Sequence, residues 1–271
     1  MSNLDQSGHF ARASAVRRMD EQNYVGEIPE GWDIAGNTNG GYLLSILTRA
    51  LLDASAKPDA ISVTAHFLSP GKPGAVQIDA RVLRSGRTFT TVTGGLSRDG
   101  KILVHATGTF GDLSSGASGV ERVEALPPQL PPPDECIGIS AQSSFAPPFM
   151  TNLDLRLHPE DAGFATGAPH GRGQVRGWMR LLDDEPIDTV GLILATDAFP
   201  PTAFNAALPV AWTPTVELTT HIRSRPVPGW LRCEFTTRFV TGGFLEEDGV
   251  VWDSSDRLVA QSRQLALLPR G

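Results

Sequence analysis

Laid over itself with a shift of 155 residues, the sequence places His66 on His221, Phe67 on Ile222, Phe89 on Phe244, Leu103 on Leu258 and Val104 on Val259 without a gap. The order of predicted elements repeats with the shift. In the first half an apolar helix from Gly41 to Leu52 precedes four alternating stretches, "ISVTAHFLS", "AVQIDARVLRSG", "RTFTTVTGGLS" and "KILVHATGTF", the last two joined at the Asp99-Gly100 turn. In the second half "QVRGWMRLLD" reads as a strand and "PIDTVGLILATDAF" as a helix with Pro186 near its start. The strands "TPTVELTTHIRSRP", "WLRCEFTTRFVTGG", "GVVWDSS" and "RLVAQSRQLALL" follow. A helix-then-strands unit that occurs twice points to an internal duplication.

Each unit limits its own architecture. A helix followed by an antiparallel meander buries its apolar face when the sheet curls round it. The stretch "GGYLLSILTRALL" is apolar on most sides, which suits a helix enclosed in this way. The predicted class is therefore α+β, with two helix-wrapped antiparallel sheets that can align side by side. Between the halves, "GDLSSGASGVERVEALPPQLPPPDECIG" at 111–138 is rich in Gly, Ser and Pro and reads as a linker. The expected division is an N-terminal unit over 24–112, a proline-rich linker over 113–150 and a C-terminal unit over 151–271.

The chain has 271 residues, 40% of them apolar, enough for one large core or two small ones. A net charge of −7 without a block of Lys or Arg argues against nucleic acid as the main partner. The N-terminal stretch "MSNLDQSGHFARASAVRRMDEQNYV" has no apolar core between a basic start and a small-residue cleavage site, and no later run approaches membrane-spanning length. The expectation is a cytoplasmic protein that does not engage a membrane. Cys136 and Cys233 form no C-x-x-C pair, and the six histidines show no metal spacing, so no metal and no cofactor are expected. Serine-hydrolase elbows, H-E-x-x-H, phosphate-binding loops and dinucleotide fingerprints are missing from the sequence.

Four places retain chemistry. Gly36, Gly40 and Gly41 surround Asn37, Thr38 and Asn39 just before the apolar helix, whose first N–H groups could polarise a carbonyl or bind an anion. Alternatively the glycines only permit a tight turn, and Asn39 or Thr38 caps the helix. Asp197, in "ILATDAFPP", is either a desolvated base or the point where the helix reaches water. Gln264 shares the parity of Ser262 and Ala266 on the last strand, where an amide is usually solvated. Thr215 and Glu217 share a face of "TPTVELTTHI" by period two.

With these residues in hand, the chain from about Gly31 to Leu268 resembles the acyl-CoA thioesterase II family, whose subunits are double hotdogs. In the first half "NGGYLLSILTRAL", "TAHFLSPG" and "VLRSGRTFTTV" carry the resemblance, and in the second "LATDAF" and "LVAQSRQLAL". The resemblance lays the family's catalytic aspartate on Asp197 and its glutamine on Gln264. Its threonine falls on Thr215 when "TVEL" is matched with a one-residue gap before Arg225-Pro226; without the gap Val216 takes that position.

The resemblance implies a double hotdog fold, its two helix-wrapped antiparallel sheets joined into one extended sheet with both helices on the concave side, and hydrolysis of an acyl-CoA thioester to a free acid and CoA. Asp197 would be the general base, and Thr215 and Gln264 would orient the attacking water, with no covalent acyl-enzyme. The N–H groups of Gly40 and Gly41 would meet the developing oxyanion. The acyl chain would enter an apolar channel beside the helices, and CoA phosphates would meet surface arginines, with Arg84, Arg87 and Arg225 as candidates by position. Acyl-CoA is then the expected partner. A homo-oligomer is compatible with this reading but not required, since a duplicated chain already mimics a dimer. Two other readings stay open: an acyl-CoA-binding protein without turnover, and an enoyl-CoA hydratase, which would want an Asp/His pair where Asn37, Thr38 and Asn39 stand.

Overall fold

In the computed structural model, which describes residues 8–114, 120–139 and 146–268, both halves of the duplicated pattern contribute to one sheet. The N-terminal half runs through α1 (His9–Ala13), β1 (Val16–Arg18), β2 (Asn23–Ile28), β3 (Asp33–Ile34), β4 (Asn37–Thr38), the long helix α2 (Gly40–Ser55), β5 (Asp59–Phe67), β6 (Gly74–Ser85), β7 (Thr90–Arg98) and β8 (Lys101–Gly111). The C-terminal half adds β9 (Ile137–Ile139), β10 (Leu153–Leu157), β11 (Gln174–Leu181), the short helix α3 (Thr189–Ala195), β12 (Thr215–Ile222), β13 (Leu231–Thr236), β14 (Val240–Thr241), β15 (Phe244–Trp252) and β16 (Leu258–Leu267).

The strands lie in the order β1-β2-β6-β7-β8-β5-β12-β16-β15-β13-β11-β10-β9, with β14 added against β15, and β5 pairing antiparallel with β12 joins the halves. This is the extended antiparallel sheet of a double hotdog. Its outer strands β1, β2, β9 and β10 lie outside the predicted meanders. The edge strand β9 comes from within the proline-rich stretch, so part of that segment is built into the sheet.

Helix α2 explains its own apolarity. Asn39 caps it, its side-chain oxygen accepting from the Tyr42 N–H at 2.8 Å, and Ala56 ends it in the left-handed region with φ 52°. Leu43, Leu44, Ile46, Leu47, Ala50 and Leu51 are all buried against the sheet and α3. Full burial of each larger aliphatic side chain contributes about 1.5–3 kcal/mol. Asp53 is the exposed residue within the helix.

Helix α3 is shorter than its pattern predicts. Asp188 caps its start, its Oδ1 accepting from Val190 and Gly191 N–H at 3.1 and 2.7 Å. It stops at Ala195, where the Thr196 hydroxyl donates to the Ile193 carbonyl at 2.8 Å and Pro200-Pro201 soon follow. The chain therefore leaves the helix two residues before Asp197 and returns to β12 by way of a single 3-10 turn at Thr202–Phe204. Among the described residues, no helix is long and apolar enough to cross a membrane.

Candidate active site

Asp197 meets the start of α2. Its Oδ2 accepts from the Gly41 N–H at 2.6 Å and from Asn39 Nδ2 at 3.1 Å, while Asn39 Nδ2 also donates to the Asp197 carbonyl at 3.0 Å. Asn39 thus caps α2 with its oxygen and holds the aspartate with its nitrogen. The glycines are what allow the approach. A Cβ on Gly41 would lie 2.7 Å from Asp197 Cβ, and one on Gly40 would lie 3.0 Å from Phe67 Cε1 and 3.1 Å from Asp197 Oδ2. Of the two sequence readings of this turn, the Asn39 cap is seen directly, and the helix end meets a carboxylate of the chain itself.

One part of the expectation changes. The Gly41 N–H, assigned in advance to an oxyanion, is taken by Asp197. The Gly40 N–H makes no hydrogen bond among the described residues and remains open. Burial pushes the Asp197 carboxyl up to about 6, against the Gly41 N–H and the Asn39 amide, which favour its ionised form. The positive end of α2 works in the same direction as those bonds.

Thr215 and Gln264 reach the same space. An apolar cavity of about 670 Å³ is lined by Asp197, Thr215 and Gln264 together with Asn39, Gly40, Thr196 and Glu247. Its walls are Leu43, Phe67, Met150, Phe199, Phe204 and Phe235, among others. Gln264 is only 8% exposed, so its face of β16 points inward rather than to water. Its amide makes no hydrogen bond among the described residues.

Thr215 is placed by a bulge. Thr215 lies opposite Ala266 and Glu217 opposite Leu265, which leaves Val216 as the extra residue. Thr215 and Glu217 are therefore on opposite faces, contrary to the simple period-two reading. Thr215, rather than Val216, lines the cavity, and Glu217 accepts from the Thr219 hydroxyl at 2.6 Å on the other face.

Glu247 was not among the expected residues. It faces Gln264 across the β15–β16 ladder, is 8% exposed, and its Oε2 accepts from the Thr202 N–H at 2.9 Å and the Thr202 hydroxyl at 2.8 Å. Burial pushes its carboxyl up to about 7; the Thr202 bonds oppose this, and the nearby charge of Asp197 adds to it. The signal was its parity with Gly249 and Val251, which extends the inward face of "GVVWDSS" back by one step.

The other polar clusters are engaged elsewhere. Arg225 forms a two-pronged pair with buried Asp59, Nε to Oδ1 and Nη2 to Oδ2, each at 2.7 Å. Arg84 and Arg87 are exposed, and neither they nor Arg225 line the cavity. His158, Glu160 and Asp161 bring ligand-type atoms within 4.8 Å of one another. The Arg176 guanidinium already donates to Asp161 at 2.9 and 3.0 Å and to Glu160 at 3.1 Å, so the group is neutralised by a cation of the chain itself.

With this geometry in view, residues 28–111 match the acyl-CoA thioesterase N-terminal domain and residues 125–268 the acyl-CoA thioesterase C-terminal domain. A Thermobifida fusca protein named after thioesterase II superimposes with a TM-score of 0.87 at 33% identity, covering 98% of this chain and 99% of that one. A hot dog protein of unknown function from Alicyclobacillus acidocaldarius gives a TM-score of 0.86 at 21% identity over 98% and 99% of the two chains, a likeness of fold. An uncharacterized Mycobacterium tuberculosis protein, Rv0499, is 27% identical over 96% of this chain and 98% of its own length.

Proposed function

The chain belongs to the acyl-CoA thioesterase family and is a thioester hydrolase, and from that premise we propose that it cleaves acyl-CoA with a water activated by Asp197 and oriented by Thr215 and Gln264. The observation that carries the reading is the convergence of these three side chains on one apolar cavity, with one oxygen of Asp197 pinned to the start of α2. Pinning Oδ2 leaves Oδ1 as the oxygen that takes a proton. A carboxyl raised to about 6 is ionised at neutral pH yet more basic than an ordinary aspartate, which suits a general base.

The proton balance closes. Water gives a proton to Asp197 Oδ1 and its oxygen adds to the thioester carbonyl, forming a tetrahedral oxyanion opposite the Gly40 N–H. The C–S bond then breaks, and Asp197 returns the proton to the departing CoA sulfur. The acyl chain rests among Leu43, Phe67, Phe199 and Phe235, whose apolar side chains line the cavity.

The test is release of free CoA thiol from short, medium and long acyl-CoAs by the wild type and Asp197→Asn. Loss of about two to four orders of magnitude in kcat for Asp197→Asn is expected. Turnover that survives the substitution would remove Asp197 from the mechanism. Acyl-CoA binding without thiol release by the wild type would point to the binding protein instead.

A further inference from the structure

A water that attacks while held by Asp197, Thr215 and Gln264 has four hydrogen-bonding positions, and they tie the orientation of the glutamine amide to that of the threonine hydroxyl. Its two O–H groups need acceptors, Asp197 Oδ1 and one other. One lone pair accepts from the Thr215 hydroxyl, and the second must stay free to attack. With the Thr215 hydroxyl donating, Gln264 has to present its carbonyl oxygen. With the amide reversed, Gln264 fills a lone pair and the Thr215 hydroxyl must turn round to accept, so the orientation of the amide decides which group takes the second O–H. Nothing in the amide itself selects between the two, because they are nearly equal in shape.

We infer that Glu247 makes this selection: it is a positioning residue whose free carboxylate oxygen, opposite Gln264 in the ladder, takes up the Gln264 –NH2 group when the attacking water is bound and so turns the Gln264 carbonyl to that water. The inference rests on the hydrolytic reading above and extends it. Four observations support it. Glu247 and Gln264 are direct cross-strand partners on the inward face of β15 and β16. Side chains so placed have Cβ atoms about 4.5–5.5 Å apart, within reach of each other's ends. Each is 8% exposed and lines the cavity, and neither Glu247 Oε1 nor the Gln264 amide has a partner among the described residues. Oε2 is already fixed by the Thr202 N–H and hydroxyl, so the carboxylate cannot swing away.

The chemistry is one-directional once Glu247 is ionised, above the value of about 7 to which burial raises it: the carboxylate then only accepts and takes the –NH2 end, whereas its protonated form donates to the carbonyl instead. Asp197 is the titratable group that faces Glu247 from the segment between α3 and β12. The neighbours Glu246 and Asp248 are paired with Arg238 and Arg263. Thr202 ties both halves of the arrangement together, since it lies five residues beyond Asp197 and holds Glu247.

Glu247→Gln tests this without dismantling the fold. Its side-chain oxygen can still accept from Thr202, which leaves an –NH2 group facing Gln264 and forces that amide to turn its carbonyl away from the water. The expected result is a kcat loss of about tenfold to a hundredfold with KM little changed. The loss should be no smaller than that of Gln264→Ala, and the double variant no worse than the larger single loss. The pH profile adds a second readout: the acidic limb of the wild type should fall in two proton steps, and that of Glu247→Gln in one. Should Gln264→Ala retain full activity, the hydrolytic reading itself fails. If Gln264→Ala is impaired while Glu247→Gln is not, or if the two losses multiply, the positioning role is overturned.

Discussion

The hydroxyls of Thr64 and Thr219 lie 3.0 Å apart at the junction of β5 and β12, and the two residues are directly opposed in the ladder. They are 155 positions apart, the shift at which the sequence repeats. Equivalent residues of a duplicated chain face each other only on the two-fold axis between the copies, so the axis passes here. The equivalence then slips by one. Thr219 is opposite Arg263 and Thr64 opposite Thr107, positions 156 apart, so β8 and β16 are related by a shift one residue longer. In the structure Leu103 and Val104 therefore correspond to Val259 and Ala260, not to Leu258 and Val259.

This geometry predicts one active site per chain. The counterpart of the Glu247–Gln264 pair is the opposed pair Val92 and Gly108, which carries neither acid nor amide. Calorimetric titration of a non-hydrolysable acyl-CoA thioether should give one site per protein chain. Two equal sites would show that the N-terminal half has kept its own machinery.

What was legible followed from periodicity, because period-two alternation and a helix apolar all round are imposed by burial and survive in the sequence. The repeat, the fold class and the central helix α2 were readable for that reason. The position of Asp197 came from resemblance rather than from pattern. What escaped notice needed three dimensions. A bulge such as that at Val216 can be adopted by almost any residue, and its one trace in the sequence is the one-residue gap that the family match needs to reach Thr215. Whether Gln264 is solvated depends on which face of the sheet is closed, and alternation alone does not say. Glu246, Glu247 and Asp248 together look like a solvated acidic run after Gly242-Gly243, although the middle carboxylate points inward.

Gly41→Ala should disable the enzyme through Asp197. A Cβ there would lie 2.7 Å from Asp197 Cβ and would push the carboxylate off the helix start. Displacement of a base by even about 1 Å can reduce kcat roughly a hundredfold. Gly138→Ala is the control, because nothing lies within 4 Å of its added Cβ, and its activity should match the wild type. Equal activity of the two variants would show that contact between Asp197 and α2 is not needed.

Asn39→Ala should move the acidic limb and the stability together. The Asn39 amide favours ionised Asp197, so its loss raises a carboxyl already near about 6 and shifts that step of the kcat/KM profile to higher pH. The same change removes the cap on Tyr42 N–H, a loss of about 1 kcal/mol read as a lower Tm. A limb that stays in place while Tm falls would reduce Asn39 to a cap alone.

Arg225→Ala separates a structural cation from a substrate contact. The arginine is the two-pronged partner of Asp59, which is 2% exposed and otherwise accepts from the Leu113 N–H at 2.9 Å. Removing it leaves a buried carboxylate short of a counter-charge, a loss of about 2 kcal/mol once the half-exposed arginine side is discounted. Tm should fall and KM for acyl-CoA should not change. A raised KM at unchanged Tm would return Arg225 to the CoA phosphates.

The two buried carboxylates also set a sign for stability against pH. Asp197 rises from 3.8 to about 6 and Glu247 from 4.5 to about 7, so the folded chain holds both protons more tightly than the unfolded chain. Their contribution is fully present below about pH 4 and is lost as pH climbs through 6 and 7. Carboxylates such as Asp248, held ionised by Arg263 and Arg238, act in the opposite direction, so the absolute Tm of the wild type mixes the two. The difference between Asp197→Asn/Glu247→Gln and the wild type isolates the buried pair. That Tm difference should shift in favour of the variant between pH 4.5 and pH 8, because the variant has no proton to lose there. A constant difference across the range would mean that neither carboxyl is displaced from its ordinary value, and the basicity assigned to Asp197 would lose its physical cause.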